Sequence, residues 1–176
     1  MNRHPGGAEH TCRMLSLAAL PTGSRILDLG AGAGEAVKIM AEFGYQAEGI
    51  DREPRSALVR RGDLLHTDYP DGSFDAVLSQ CAFFVSGDVR GALRESARLL
   101  RPEGMLLLSD VFFEDPEALL KETGFAVVNA ENMTPLWREY YLEALWRGDC
   151  DCGPLPKGKS EYWMLIGKKE GQDGFN

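Results

Sequence analysis

Basic residues are in short supply in this chain: 19 Lys and Arg stand against 27 Asp and Glu, a formal net charge of −8 over 176 residues. Binding along a phosphate backbone relies on clustered Lys and Arg, so this balance argues against a nucleic-acid partner. Cysteine is sparse as well. Cys12, Cys81, Cys150 and Cys152 show no framework spacing, and free thiols in a reducing compartment are the expectation. No apolar run reaches bilayer-spanning length, since "MLSLAAL" and "GMLLLS" each supply about a third of the ~20 residues needed. The start "MNRHPGGAEHT" lacks the apolar core of a signal peptide. A cytoplasmic protein without a membrane span is therefore expected. No repeat, low-complexity tract or Pro/Gly-rich linker divides the sequence. A single domain over 1–176, with 44% hydrophobic and 26% charged residues, fits ordinary globular composition.

What is present alternates between two periodicities. "SRILDL" (24–29) is a short, nearly continuous apolar run, as a parallel strand buried on both faces should be. "EAVKIMAEF" (35–43) carries apolar residues at helical spacing and stops at Gly44. "QAEGID" (46–51) reads as a second strand, and Pro54 as the opening of a helix through about Arg60. A strand at 73–80, a helix at 88–100 broken by "RPEG", and a strand at 105–113 follow. A helix at 115–124 has Asp115 as N-cap, Pro116 at its first position and Gly124 as its stop. Strands at 125–131 and 161–169 complete the series. Repeated strand–helix–strand units imply an α/β fold with a doubly wound, mostly parallel sheet and helices on both faces. Some thirty residues separate the last two strands, where a short hairpin would have sufficed. That insertion, 132–160, contains a helical-looking "PLWREYYLEALW" (135–146) and then "RGDCDCGPLPKGKS" (147–160).

The stretch "ILDLGAGAGE" (26–35) carries the chemistry. A strand that runs through Gly30, Gly32 and Gly34 into a helix brings bare backbone close to a ligand. Asp51 ends the next strand, 21 residues past Gly30, where an acid accepts hydrogen bonds from ribose hydroxyls. The ligand should therefore contain a nucleoside. A dinucleotide fingerprint would place its third glycine at position 35, which is Glu35. Asp28 beside the loop would repel a diphosphate and suits an ammonium or sulfonium. S-adenosylmethionine carries both cations on an adenosine.

"ILDLGAGAGE" resembles motif I of the class I S-adenosylmethionine-dependent methyltransferases. "GID" ending in Asp51, "RRGDLLHTDYPDGSFDAVLSQCAFF" (60–84) and "ALRESARLLRPEGMLLLSD" (92–110) follow in the order of that family. The last is similar to the E-x-x-R-x-L-x-P-G-G stretch of the branch that includes ubiquinone/menaquinone methyltransferases, with Glu103-Gly104 in place of the glycine pair. The resemblance covers 24–113 and the final strand, and implies a seven-stranded sheet of order 3-2-1-4-5-7-6 with the last strand antiparallel. It also implies the cofactor, S-adenosyl-L-methionine, and its contacts. Asp28, Gly30, Ala31 and Gly32 would hold the methionine portion. Asp51 would take the ribose hydroxyls, with Arg52 against the adenine. Gly62, Asp63 and Leu64 would border the adenine, Asp63 accepting from its amino group, while Ser79, Gln80 and Cys81 would line the methionine side. The N-terminal segment 1–20 and the insertion 132–160 would form the acceptor pocket and its cover.

The implied reaction is an in-line transfer of the sulfonium methyl to a small-molecule acceptor, by a monomer or a homodimer. A general base is needed only if the acceptor must lose a proton. No residue declares itself catalytic. His4 and His10 lie in the covering segment, where the plain alternative is a solvated tail histidine. Tyr140 and Tyr141 sit in the inserted helix, where packing with Trp137, Leu142, Leu145 and Trp146 competes with acid–base work. "AFFV" (82–85) suggests an apolar pocket wall, and His66 an exposed side chain. Cys150 and Cys152 read either as soft-metal ligands, with Cys12 or Cys81 as a third thiolate, or as two thiols in an exposed turn; C-x-C is not a usual metal spacing. Two rival readings stay open: a non-catalytic S-adenosylmethionine-binding protein, and a nicotinamide-dependent oxidoreductase, against which Asp28 and Glu35 argue.

Overall fold

The computed structural model describes residues 4–147 and 159–171. Cys150, Cys152 and the rest of residues 148–158 in the 132–160 insertion lie outside the described residues. Among the described residues thirteen elements follow one another. They are α1 (Gly7–Ala18), β1 (Arg25–Leu29), α2 (Glu35–Glu42), β2 (Gln46–Asp51), β3 (Arg60–Arg61), β4 (Phe74–Gln80), α3 (Phe83–Ser86), α4 (Val89–Leu99), β5 (Leu100–Phe112), α5 (Pro116–Glu122), β6 (Phe125–Asn132), α6 (Thr134–Arg147) and β7 (Glu161–Lys169). The strands form one sheet of order β3-β2-β1-β4-β5-β7-β6. All pairs are parallel except β5–β7 and β6–β7, so β7 is the antiparallel strand that the resemblance implied.

Alternation along each strand sends side chains to two cores. Leu27 and Leu29 of β1, with Val77, Leu106 and Leu108, pack beneath Leu93 and Leu99 of α4 and Leu119 and Leu120 of α5. Ile26, Ala76, Leu78 and Leu107 pack on the other face against Met14 and Leu15 of α1 and Val37 and Met40 of α2. Each fully buried large aliphatic stabilises the fold by about 1.5–3 kcal/mol. Asp28 falls by the same alternation on the face covered by α1 and α2, which puts a carboxylate where Ile26 has a core partner.

Two local readings of the sequence need correction, and one short helix went unread. Residues 54–60 form no helix. Their donors go sideways instead: Arg55 N donates to Gly32 O at 3.0 Å and Ser56 Oγ to Ala33 O at 2.8 Å. The chain then extends into β3, whose register pairs Ile50 with Arg60 and Asp51 with Arg61. A seven-residue helix with no buried stripe cannot compete with those tertiary bonds. "RPEG" does not separate helix from strand, since β5 begins at Leu100 and crosses it with a register shift opposite Phe74 and Ala76. Glu103 takes φ 66° there. Finally, residues 83–86 wind into a short helix because Asp110 Oδ2 accepts from Phe83 N at 2.8 Å and Phe84 N at 3.2 Å. Asp115 caps α5 as read, through Glu117 N at 3.0 Å and Ala118 N at 3.2 Å.

Candidate functional site

At the carboxyl ends of β1, β2 and β4, beside the glycine loop, lies a cavity of about 410 Å³. Open α/β sheets bind ligands in that crevice. Gly30, Gly32 and Gly34 all adopt positive φ, of 85°, 54° and 81°. A Cβ on Gly30 would overlap the Cβ of Ala82, and one on Gly32 would lie 2.5 Å from the Arg55 guanidinium. The first three donors of the loop are already spent. Gly30 N and Ala31 N both reach Ile50 O at 2.9 Å, and Gly32 N reaches Asp51 Oδ2 at 2.8 Å. The loop therefore meets a ligand with bare Cα surface, and its N–H groups at 30, 31 and 32 form no phosphate cradle.

Asp51 ties two loops together, because its Oδ1 accepts from Glu53 N at 2.8 Å while Oδ2 holds Gly32. Each carboxylate oxygen keeps a further lone pair for a ligand hydroxyl. Asp28 is different. It is 4% exposed, lines the cavity, and accepts no hydrogen bond among the described residues. Burial, with the charge of Asp51 added, pushes its carboxyl up to a pKa of about 7. A buried carboxylate without a partner is destabilising unless a cation meets it. Glu35 and Glu53 add further negative charge to the walls. Arg55 and Arg52 supply the positive charge, and Arg52 is held by Asp63 at 3.1 Å.

The family model described as a methyltransferase domain matches residues 27–108. An uncharacterized methyltransferase of Geobacillus kaustophilus is 30% identical over 146 residues, 73% of this chain and 67% of that one. The chain belongs to the class I S-adenosylmethionine-dependent methyltransferases. A demethylmenaquinone methyltransferase of Tropheryma whipplei is 32% identical over 114 residues, 56% of this chain and 45% of that protein. The chain thus spans less than half the length of that relative. The phosphoethanolamine N-methyltransferase 2 of Haemonchus contortus, solved with S-adenosyl-L-methionine, shares the fold at TM-score 0.75 and 22% identity, covering 96% of this chain and 54% of that one.

Against this methyltransferase frame, the structure gathers Asp28, Gly30, Ala31, Gly32, Asp51, Arg52, Gly62, Leu64, Gln80 and Cys81 around the cavity. Asp63 and Ser79 do not line it. Asp63 turns to Arg52 and to Leu65 N at 2.9 Å, and Ser79 is buried with its hydroxyl donating to Leu29 O at 2.8 Å. Both therefore stand behind the wall, Asp63 steadying Arg52 and Ser79 joining β4 to β1. Cys81 takes φ 57°, and its Sγ lies 3.4 Å from the hydroxyl of Tyr162, whose pKa burial raises well above the usual phenol value. Tyr140 and Tyr141 of α6 do not reach the cavity, and Tyr141 sets its ring 5.5 Å from that of Trp137 in a satellite core. His66 is exposed.

His10 overturns the solvated-tail reading. It is 3% exposed, and its Nε2 has no hydrogen-bond partner among the described residues. Burial, with the nearby His4 and Arg13, lowers its pKa to about 4. It lies outside the cavity wall, while His4 is part of that wall. Ala82 and Val85 of "AFFV" line the cavity, while sequence reasoning passed over Arg55 and Ser86, which line it too. Nothing in their local pattern marks them, since the loop bonds of Arg55 and the Asp110-anchored α3 bring them there. Phe84 and Phe113 set their rings 5.7 Å apart, tilted by 39°, and stand 37% and 51% exposed, beside the cavity-lining Val85 at 77%.

Proposed function

We propose that the chain binds S-adenosyl-L-methionine in this cavity and transfers its methyl group to a small-molecule acceptor with an apolar body. The observation that carries the reading is Asp28, an unpartnered buried carboxylate next to a glycine loop whose N–H groups at 30, 31 and 32 are already satisfied. That pairing favours a cationic nucleoside over a pyrophosphate dinucleotide. Bound here, S-adenosylmethionine supplies a methyl group on a positively charged sulfur, already activated toward displacement. Asp28 meets the ammonium. Asp51 offers lone pairs to the ribose, Leu64 and Gly62 give the adenine an apolar edge, and Arg52 is held beside it by Asp63. Ala82 and the α3 turn wall off the far side, so orientation and exclusion of water supply the acceleration. Phe84, Val85 and Phe113 support an acceptor that brings apolar surface to the cavity mouth.

Calorimetric titration with S-adenosylhomocysteine tests the reading. Binding is expected, and its loss in Asp51→Ala. A wild-type protein that ignores S-adenosylhomocysteine and binds a nicotinamide dinucleotide would refute it. Transfer of labelled methyl across quinols, phenols and thiols tests the catalytic half, and binding without transfer to any acceptor would favour the non-catalytic alternative.

A further inference from the structure

The N-terminal segment is tied to the cavity through one side chain. Thr11 of α1 donates to Gln80 Oε1 at 3.0 Å, which leaves the Gln80 amide nitrogen 3.4 Å from His4 Nδ1 and 3.8 Å from Met14 Sδ. Arg13 of the same helix pairs with Glu131 of β6 at 2.5 Å. His4 alone among the described residues of this segment lines the cavity.

In the tautomer that accepts from the Gln80 amide at Nδ1, 3.4 Å away, the neutral ring carries its proton on Nε2, which forms no hydrogen bond among the described residues; the other tautomer donates from Nδ1 to the Pro5 carbonyl at 3.3 Å. Burial lowers the pKa of His4, opposed by the Pro5 carbonyl, 3.3 Å from Nδ1, and by Glu35 across the cavity wall. His10, its ring 6.4 Å away, is the other titratable neighbour. The amino-acid end of a methyl donor of this type is a zwitterion. Its ammonium has Asp28, but its carboxylate meets the wrong sign at Asp28, Glu35, Asp51 and Glu53. Arg52 is engaged by Asp63, and Arg55 lies over Gly32.

We propose that His4 donates from Nε2 to the carboxylate of the ligand's amino-acid end, with Gln80 as the residue that positions the ring. The N-terminal segment thereby closes the cavity by recognising the donor itself. This rests on the cofactor reading above. It requires that affinity for the amino-acid end depend on His4 while affinity for adenosine does not.

The test is calorimetry of wild type, His4→Ala and His4→Gln with two probes. S-adenosylhomocysteine has the amino-acid end; 5′-methylthioadenosine has the adenosine and thioether without it. His4→Ala should weaken S-adenosylhomocysteine about tenfold, as loss of a hydrogen bond to a charged group does, and leave methylthioadenosine within about twofold. His4→Gln, which keeps an N–H donor, should recover most of the loss. In the ring's own NMR titration, S-adenosylhomocysteine should raise the pKa of His4 and methylthioadenosine should not. Equal losses for both probes, unchanged S-adenosylhomocysteine binding, or an unmoved ring titration would each overturn the assignment. Failure of wild type to bind S-adenosylhomocysteine at all would instead remove the cofactor reading beneath it.

Discussion

Asp28 and Asp51 enter one cavity from neighbouring parallel strands, and burial, reinforced by the charge of Asp51, lifts Asp28 to a pKa of about 7. The unliganded fold therefore holds a proton that an unfolded chain, with its aspartate near 3.8, has already released. Stability falls as pH rises through that window, by at most about 4 kcal/mol from this group. Asp110, lifted to about 6 by burial against the opposing backbone donors, adds a smaller decline of the same sign. Asp28→Asn should match wild type near pH 4 and exceed its urea midpoint at pH 8. A variant less stable at pH 8 would contradict an uncompensated charge.

A cationic ligand reverses that linkage, because it prefers the ionised carboxylate. At pH 6, S-adenosylhomocysteine binding to wild type should release close to one more proton than binding to Asp28→Asn. The affinity difference between the two should grow by up to about tenfold per pH unit until roughly pH 7. Calorimetry in buffers of unequal ionisation heat reads both quantities. No difference in proton release would mean that the cation sits elsewhere.

The glycine loop offers a cleaner comparison. Gly30 and Gly23 have nearly equal φ, 85° and 84°, yet a Cβ meets Ala82 at the first and nothing within 4 Å at the second. Gly23→Ala should cost about 1 kcal/mol of backbone strain. Gly30→Ala should cost more and abolish ligand binding, and Gly30→Ala with Ala82→Gly should recover part of the stability. Chemical denaturation of wild type, Gly23→Ala, Gly30→Ala, Ala82→Gly and the double variant measures this. An additive pair would show that the two side chains do not meet.

Phe84 and Phe113 should separate the two substrates. Alanine at either position is expected to leave S-adenosylhomocysteine affinity within about twofold, since neither lines the cavity, and to lower turnover of an apolar acceptor by about tenfold through lost contact area. An apolar acceptor methylated as fast by both variants as by wild type would argue against the apolar mouth.

Much of the site was legible because it depends on spacing. Gly30, Gly32 and Asp51 are fixed by a strand–turn–helix–strand unit, whose register the sequence pattern determines. What escaped reading depends on contacts between loops. Pro54 signals a helix start, yet Arg55 and Ser56 give their bonds to Gly32 and Ala33. The two-residue β3 is too short to show periodicity. His10 looks like a tail residue until α1 is packed over Met40 and Ile26, and Ser79 looks like a loop donor until its hydroxyl is seen bridging two strands. Asp110, which shapes the cavity rim through three backbone donors, reads in sequence as the end of an apolar strand.

The strand order also sets a schedule for synthesis. Residues 161–169 fill the slot between β5 and β6, but they leave the ribosome after both. Until then β5 can pair only with β4, and β6 has no neighbour in the sheet, so two unsatisfied strand borders wait for a third. This half of the sheet closes by late insertion of a wedge, and the nascent chain is most open to mispairing just before β7 emerges.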